Sequence, residues 1–156
     1  MSQELESFRL RFEYEFDRLL ETIHGLDDEA VNWKPPAPGT NSLLVLVTHA
    51  LGSAEDHVVG KAAKKEIVRD RDAEFAAKGS AARLESRAAE VRARIADALA
   101  GLDGRLDEER EPPMRTWPAQ GTVRDRLVHS IAHTAEHVGH AQLTRDLWRA
   151  RGAKAS

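Results

Sequence analysis

Three histidines at helical spacing, His133, His137 and His140, lie far downstream of a fourth, His49, which is set in an apolar run. The chain has no cysteine. Imidazole and carboxylate are then its strong transition-metal ligands, and neither a thiolate site nor a disulfide can form. His133 and His137 are four residues apart, so on a helix they stack one turn above the other on one face. Two such imidazoles can share a metal, each at about 2.0–2.1 Å from zinc. A third ligand must come from elsewhere, and His49 is the candidate. Three protein ligands leave a position for water or substrate, the arrangement of a catalytic rather than a structural site.

Other readings stay open at this level. Leu127, Ile131 and Val138 lie on an arc nearly opposite His129, His133, His137 and His140, so amphipathicity alone turns these histidines toward solvent. The same helix has no clean charged face, since Arg124, Asp125, Glu136, Arg145 and Asp146 scatter around it. A buried His49 needs a polar partner. A backbone carbonyl, Asp56 or a metal would each serve. Asp56 could also be an ordinary solvated aspartate. A dinuclear carboxylate site needs two Glu-x-x-His motifs, and only Glu21 to His24 has that form. The zincin motif is absent, because Glu136 stands beside the second histidine of the pair rather than the first.

The elements that must position these groups read as helices. Leu5, Phe8, Phe12, Phe16, Leu19, Leu20 and Ile23 recur at steps of three and four, predicting a helix over 3–24. Residues 25–41, with Pro35, Pro36, Pro38 and Gly39, predict a loop. Asn41 or Ser42 can cap a second helix running to about Gly60, apolar all round in its first turns and therefore buried. His49 shares a line with Val45, Ser53 and Asp56. Residues 61–79 are charged and include Gly79, which predicts a loop with room for one helical turn. Leu84, Ala88, Val91, Ile95, Ala98 and Leu102 stripe a third helix over 81–101. Residues 103–121 contain three prolines and predict a second long loop. Thr122 and Asp125 form a capping-box-like pair opening a last helix that runs to about Ala150. Four helices and no strand predict an all-α, four-helix bundle with long connections, and residues 1–156 suit one domain.

The bulk properties exclude several classes. A net charge of −3 and mixed-sign charge over 31% of residues give no electrostatic case for nucleic acid. The longest apolar stretch, Leu43 to Val47, is too short to span a membrane. The N-terminus carries acids and no apolar core, so it does not read as a signal peptide. With no cysteine, the composition fits a reducing cytoplasm.

Two segments carry a family resemblance. The first runs from Gly25 through Trp33 and Pro35 to Asn41-Ser42 and then His49. The second is His133-Thr-Ala-Glu-His137-Val-Gly-His140-Ala-Gln142. Together they resemble the DinB/YfiT-like superfamily of metal-binding four-helix bundles over most of the chain. The Gly139-His140-Ala141 stretch and Arg69 to Phe75 are closest in look to the branch of mycothiol-dependent maleylpyruvate isomerase and bacterial thiol S-transferases. Residue 142 is Gln where that branch carries Asp, and residue 133 is His where it carries Glu. The resemblance implies a divalent metal, zinc or nickel, held by His49, His133 and His137. It also implies a low-molecular-weight thiol, a small-molecule substrate and a homodimer. The expected function is a metal-dependent transferase that activates such a thiol. The alternative is a non-enzymatic, stress-related metal-binding bundle. Near the mouth of the site, Arg115, Trp117 and His140 are candidates to hold the thiol's polar body, each with a plain packing or surface role as its alternative. Asp56 is a candidate to orient an imidazole.

Overall fold

The computed structural model describes residues 2–110 and 121–153. Its helices are α1 (Gln3–Glu21), α2 (Asp28–Asn32), α3 (Leu43–Glu55), α4 (Arg71–Ala76), α5 (Ala81–Ala100) and α6 (Val123–Ala153). Among the described residues there is no strand, only an isolated bridge between Glu109 and Thr122. The chain is an all-helical bundle. None of its described helices is long and apolar enough to cross a membrane.

Each long helix begins where the sequence supplies an acceptor for an orphan backbone N–H. Ser2 caps α1, Ser42 caps α3 and Ser80 caps α5, each through its side-chain oxygen. At α6, Thr122 N donates to Asp125 Oδ2 at 2.9 Å and Asp125 N donates to Thr122 Oγ1 at 3.2 Å, a reciprocal capping box.

The four long helices close a ring of neighbours. α6 packs on α1 and on α3, and α5 packs on both α1 and α3. Phe12, Phe16 and Leu19 of α1, Leu43, Val47 and Leu51 of α3, Val91 and Ile95 of α5, and Leu127 and Val138 of α6 are buried between them. The predicted α5 stripe is buried at every position. Ion pairs reinforce the seams. Glu55 of α3 is gripped by Arg87 and Arg94 of α5. Arg92 of α5 reaches Glu13 and Asp17 of α1 at 2.9 and 2.6 Å.

Two sequence expectations need correction. The 25–41 segment is not entirely loop, because α2 forms ahead of its prolines, with Asp27 Oδ1 accepting from Ala30 N at 2.8 Å. The second helix does not stay α-helical to Gly60. It widens to a π-helix over Asp56–Ala62, where Ala63 N donates five residues back to Val58 O at 2.9 Å. The helical turn for which residues 61–79 left room is α4, which starts at the Asp70 cap and crosses α3 as a short strap.

Candidate metal centre

His49 lies two turns into α3, in the most apolar part of the chain, and is only 6% exposed. Such a ring needs a polar partner, and α4 provides one. Glu74 Oε2 is 2.8 Å from His49 Nδ1. The carboxylate can only accept, so His49 Nδ1 is the donor. Nε2 is then the ring nitrogen left for another partner. Phe75, the next residue of α4, lays its ring against the imidazole with centroids 4.8 Å apart.

Glu74 is itself held on two sides. Arg69 Nε donates to Oε1 at 2.7 Å and Nη2 to Oε2 at 3.0 Å, a bidentate clamp. Arg69 Nη1 reaches Asp56 Oδ2 at 3.2 Å, and Lys61 Nζ donates to the same oxygen at 2.6 Å. Desolvation opposes charge on Arg69, but its bonds to Glu74 and Asp56 outweigh it and raise the guanidinium pKa. On the other side of the carboxylate is Gly52. A methyl group there would overlap Glu74 Oε1, so the carboxylate fits against α3 only because residue 52 has no side chain.

From α6 come His133 and His137, with Nε2 atoms 3.3 Å apart and ring centroids 4.5 Å apart. The His49 ring lies 5.3 Å from His133 and 4.9 Å from His137. One nitrogen from each of the three residues falls within 4.8 Å of the others. The inward turn of the α6 histidines follows from packing on more than one arc. Leu127 and Val138 are buried, but so are Ser130 and Thr134, whose hydroxyl donates to Ser130 O at 2.8 Å. The helix has neighbours on both its α1 and α3 sides.

Burial sets the charge state of these rings. It is the largest cause of the fall of the His137 pKa to about 3, with the nearby His133 and His49 adding to it. The His133 pKa falls to about 4, first by burial and then through His49, His129 and Arg69. Both are neutral at pH 7, and the neutral imidazole is the ligating form. Their Nδ1 atoms are buried without a hydrogen-bond partner. Three close-set imidazoles, two of them with Nε2 atoms 3.3 Å apart, fit a borderline divalent ion such as zinc or nickel.

The remaining sequence candidates are placed as follows. His140 is exposed, with its ring 5.7 Å from His137, at the rim of the cluster. Asp56 is held by Arg69 and Lys61 rather than set against a site imidazole, so it reaches His49 through Arg69 and Glu74. Arg115 and Trp117 lie outside the described residues.

Sequence reasoning assigned no role to Glu74 or Gly52. The only available signal was the need of a buried imidazole for an acceptor, which does not say which acceptor. It also passed over His57, whose ring packs 4.6 Å from that of His129 beside the cluster.

Residues 7–150 match the mycothiol S-transferase family. The chain belongs to that family. The match spans α3, α4 and most of α6, and so contains His49, Glu74, His133 and His137. No curated protein is significantly similar to the chain.

Proposed function

We propose that this mycothiol S-transferase family member is a divalent-metal-dependent enzyme that joins a low-molecular-weight thiol to an electrophilic small molecule. The observation that carries the reading is the convergence of His49, His133 and His137 on one point. His49, His133 and His137 would hold zinc or nickel and leave a position for an exchangeable ligand. When bound, the ion lowers the pKa of a thiol beside it, so that the reactive thiolate is available at neutral pH.

This chain's own residues do the rest. Glu74 takes the His49 Nδ1–H, which would leave His49 Nε2 for the ion. Phe75 and the apolar surroundings of α3 keep water from His49. In the reaction the thiol proton goes to solvent and the sulfur forms a bond to the electrophilic carbon. The leaving group departs with its bonding pair or, with an activated double bond, the neighbouring carbon takes up a proton. No cysteine of the protein is needed, in keeping with a chain that has none. The family points to mycothiol as the first thiol to test, and a reducing cytoplasm suits such a substrate.

The test begins with the metal content of protein purified without a polyhistidine tag. Mycothiol, bacillithiol, glutathione and coenzyme A are then each offered with 1-chloro-2,4-dinitrobenzene. The metal-free protein and His137→Ala serve as controls. A metal-dependent rate with at least one thiol supports the reading. Bound metal with no rate above the controls for any thiol would leave a non-enzymatic metal-binding bundle.

A further inference from the structure

The α6 face that carries the histidines continues toward the C-terminus with a change of chemistry. His133, His137 and His140 are followed at helical spacing by Leu143 and Leu147. Both leucines are unusually exposed, at 61% and 45%. They form one wall of a cavity of about 330 Å³ that also touches His137 and His140. Leu46 of α3 and Pro35 complete the apolar lining, and the polar side chains that join it, such as Asn41 and Thr144, are uncharged. Among the described residues, no carboxylate, ammonium or guanidinium lines this cavity. That is unusual on a chain in which 31% of residues are charged. The cleft on the α4 side of the same bundle is lined by Arg69, Asp70, Glu74, Arg83 and Arg87.

The wall facing α6 is built in advance. Gly39 takes a φ of +76°, and Thr40 Oγ1 lies 2.7 Å from Pro35 O and 2.8 Å from Ala37 O. These contacts fold the loop onto itself. Its start is fastened to α6 by Trp33 against Trp148, with centroids 5.6 Å apart. A cleft that joins aliphatic side chains to a small set of uncharged polar ones is the usual form of a small-molecule site.

We propose that this cavity binds the electrophilic acceptor, and that the acceptor is an uncharged, largely apolar small molecule. The proposal rests on the thiol-transfer reading above. The chemistry separates the two reactants. Low-molecular-weight thiols carry charges or many hydroxyls, and aliphatic walls do not repay the desolvation of such groups. An apolar electrophile gains from the same burial. Size agrees, since a cavity of about 150 Å³ holds a benzene ring and this one is about twice as large. His137 at its inner end brings the acceptor's reactive carbon toward the histidine cluster.

The test uses metal-free protein and no thiol, so its outcome is separate from turnover. Trp117 is replaced by Phe, leaving Trp33 and Trp148 as the reporters beside the cavity. Tryptophan quenching is titrated with 1,3-dinitrobenzene and with its charged counterpart, 3,5-dinitrobenzoate. Saturable quenching at least tenfold tighter for the uncharged compound is expected. Leu143→Asp should weaken it tenfold or more. Leu10→Asp, at an exposed leucine on α1 outside the cavity, should leave it unchanged. Equal affinity for the two compounds, or no effect of Leu143→Asp, would overturn the proposal even if thiol transfer is observed. Binding as expected without any thiol-dependent turnover would retain the apolar site and reject the transferase reading.

Discussion

Glu74 Oε2 lies 2.8 Å from His49 Nδ1, twenty-five residues away in sequence. This one contact fixes which nitrogen of His49 is free, and a carboxylate on the far side of an imidazole also makes that ring a better donor. Glu74→Ala should therefore weaken metal affinity by roughly 10–100-fold. Glu74→Gln keeps an acceptor oxygen but loses the charge, so it should recover part of that loss. Competition with a chromogenic chelator measures both. Equal affinity in wild type and Glu74→Ala would show that the contact is only structural.

Gly52 gives an independent handle on the same carboxylate. A methyl group at residue 52 would overlap Glu74 Oε1. Alanine is otherwise the better helix former, favoured over glycine by about 1 kcal/mol in a helix interior. Helix propensity alone thus predicts that Gly52→Ala stabilises the protein. The close approach predicts the opposite, with a lower melting temperature and a weaker metal site together. A variant that melts higher and binds metal normally would show that Glu74 can give way at no cost.

His49→Ala should abolish metal binding and keep the fold. The deletion leaves Glu74 without one of its donors, at a cost of about 1–3 kcal/mol, although Arg69 still holds the carboxylate. The bundle core does not depend on this ring, since α1, α3, α5 and α6 each contribute fully buried apolar side chains. Elemental analysis and circular dichroism check the two halves. Full metal occupancy in the variant would remove His49 from the ligand set.

Much of this arrangement was legible in the sequence, and the gaps have physical causes. The four long helices announced themselves through apolar periodicity and through Ser42 and Thr122 at their starts. The pairing of His133 with His137 followed from their spacing. Their direction did not, because a helix with neighbours on two sides buries more than one arc, which a single hydrophobic stripe cannot express. Asp56 drew attention because it lies on the His49 face of the same helix. The ladder widens to a π-helix at Asp56, however, and Arg69 and Lys61 claim its carboxylate. Glu74 comes from a six-residue strap whose position over α3 is a tertiary fact. No local spacing links residue 74 to residue 49.

The buried histidines also set how the metal-free protein responds to acid. Burial, reinforced by Lys61 and His129, pushes the His57 pKa down to about 3, and its Nδ1 is buried without a partner. In the unfolded chain the same ring titrates near 6.5. As pH falls below 6.5 the unfolded state takes up this proton first, and the folded state does not until about pH 3. Protons therefore favour unfolding across that window, and stability falls with falling pH. His133 and His137, depressed to about 4 and about 3, act with the same sign. Replacing His57 with Leu removes one titrating ring and one orphaned nitrogen without touching the proposed ligands. The melting temperature of metal-free His57→Leu, followed through buffers spanning the window, should fall less steeply with acid than that of the parent. Parallel curves for the two proteins would mean that His57 protonates as readily in the folded state as in the unfolded one.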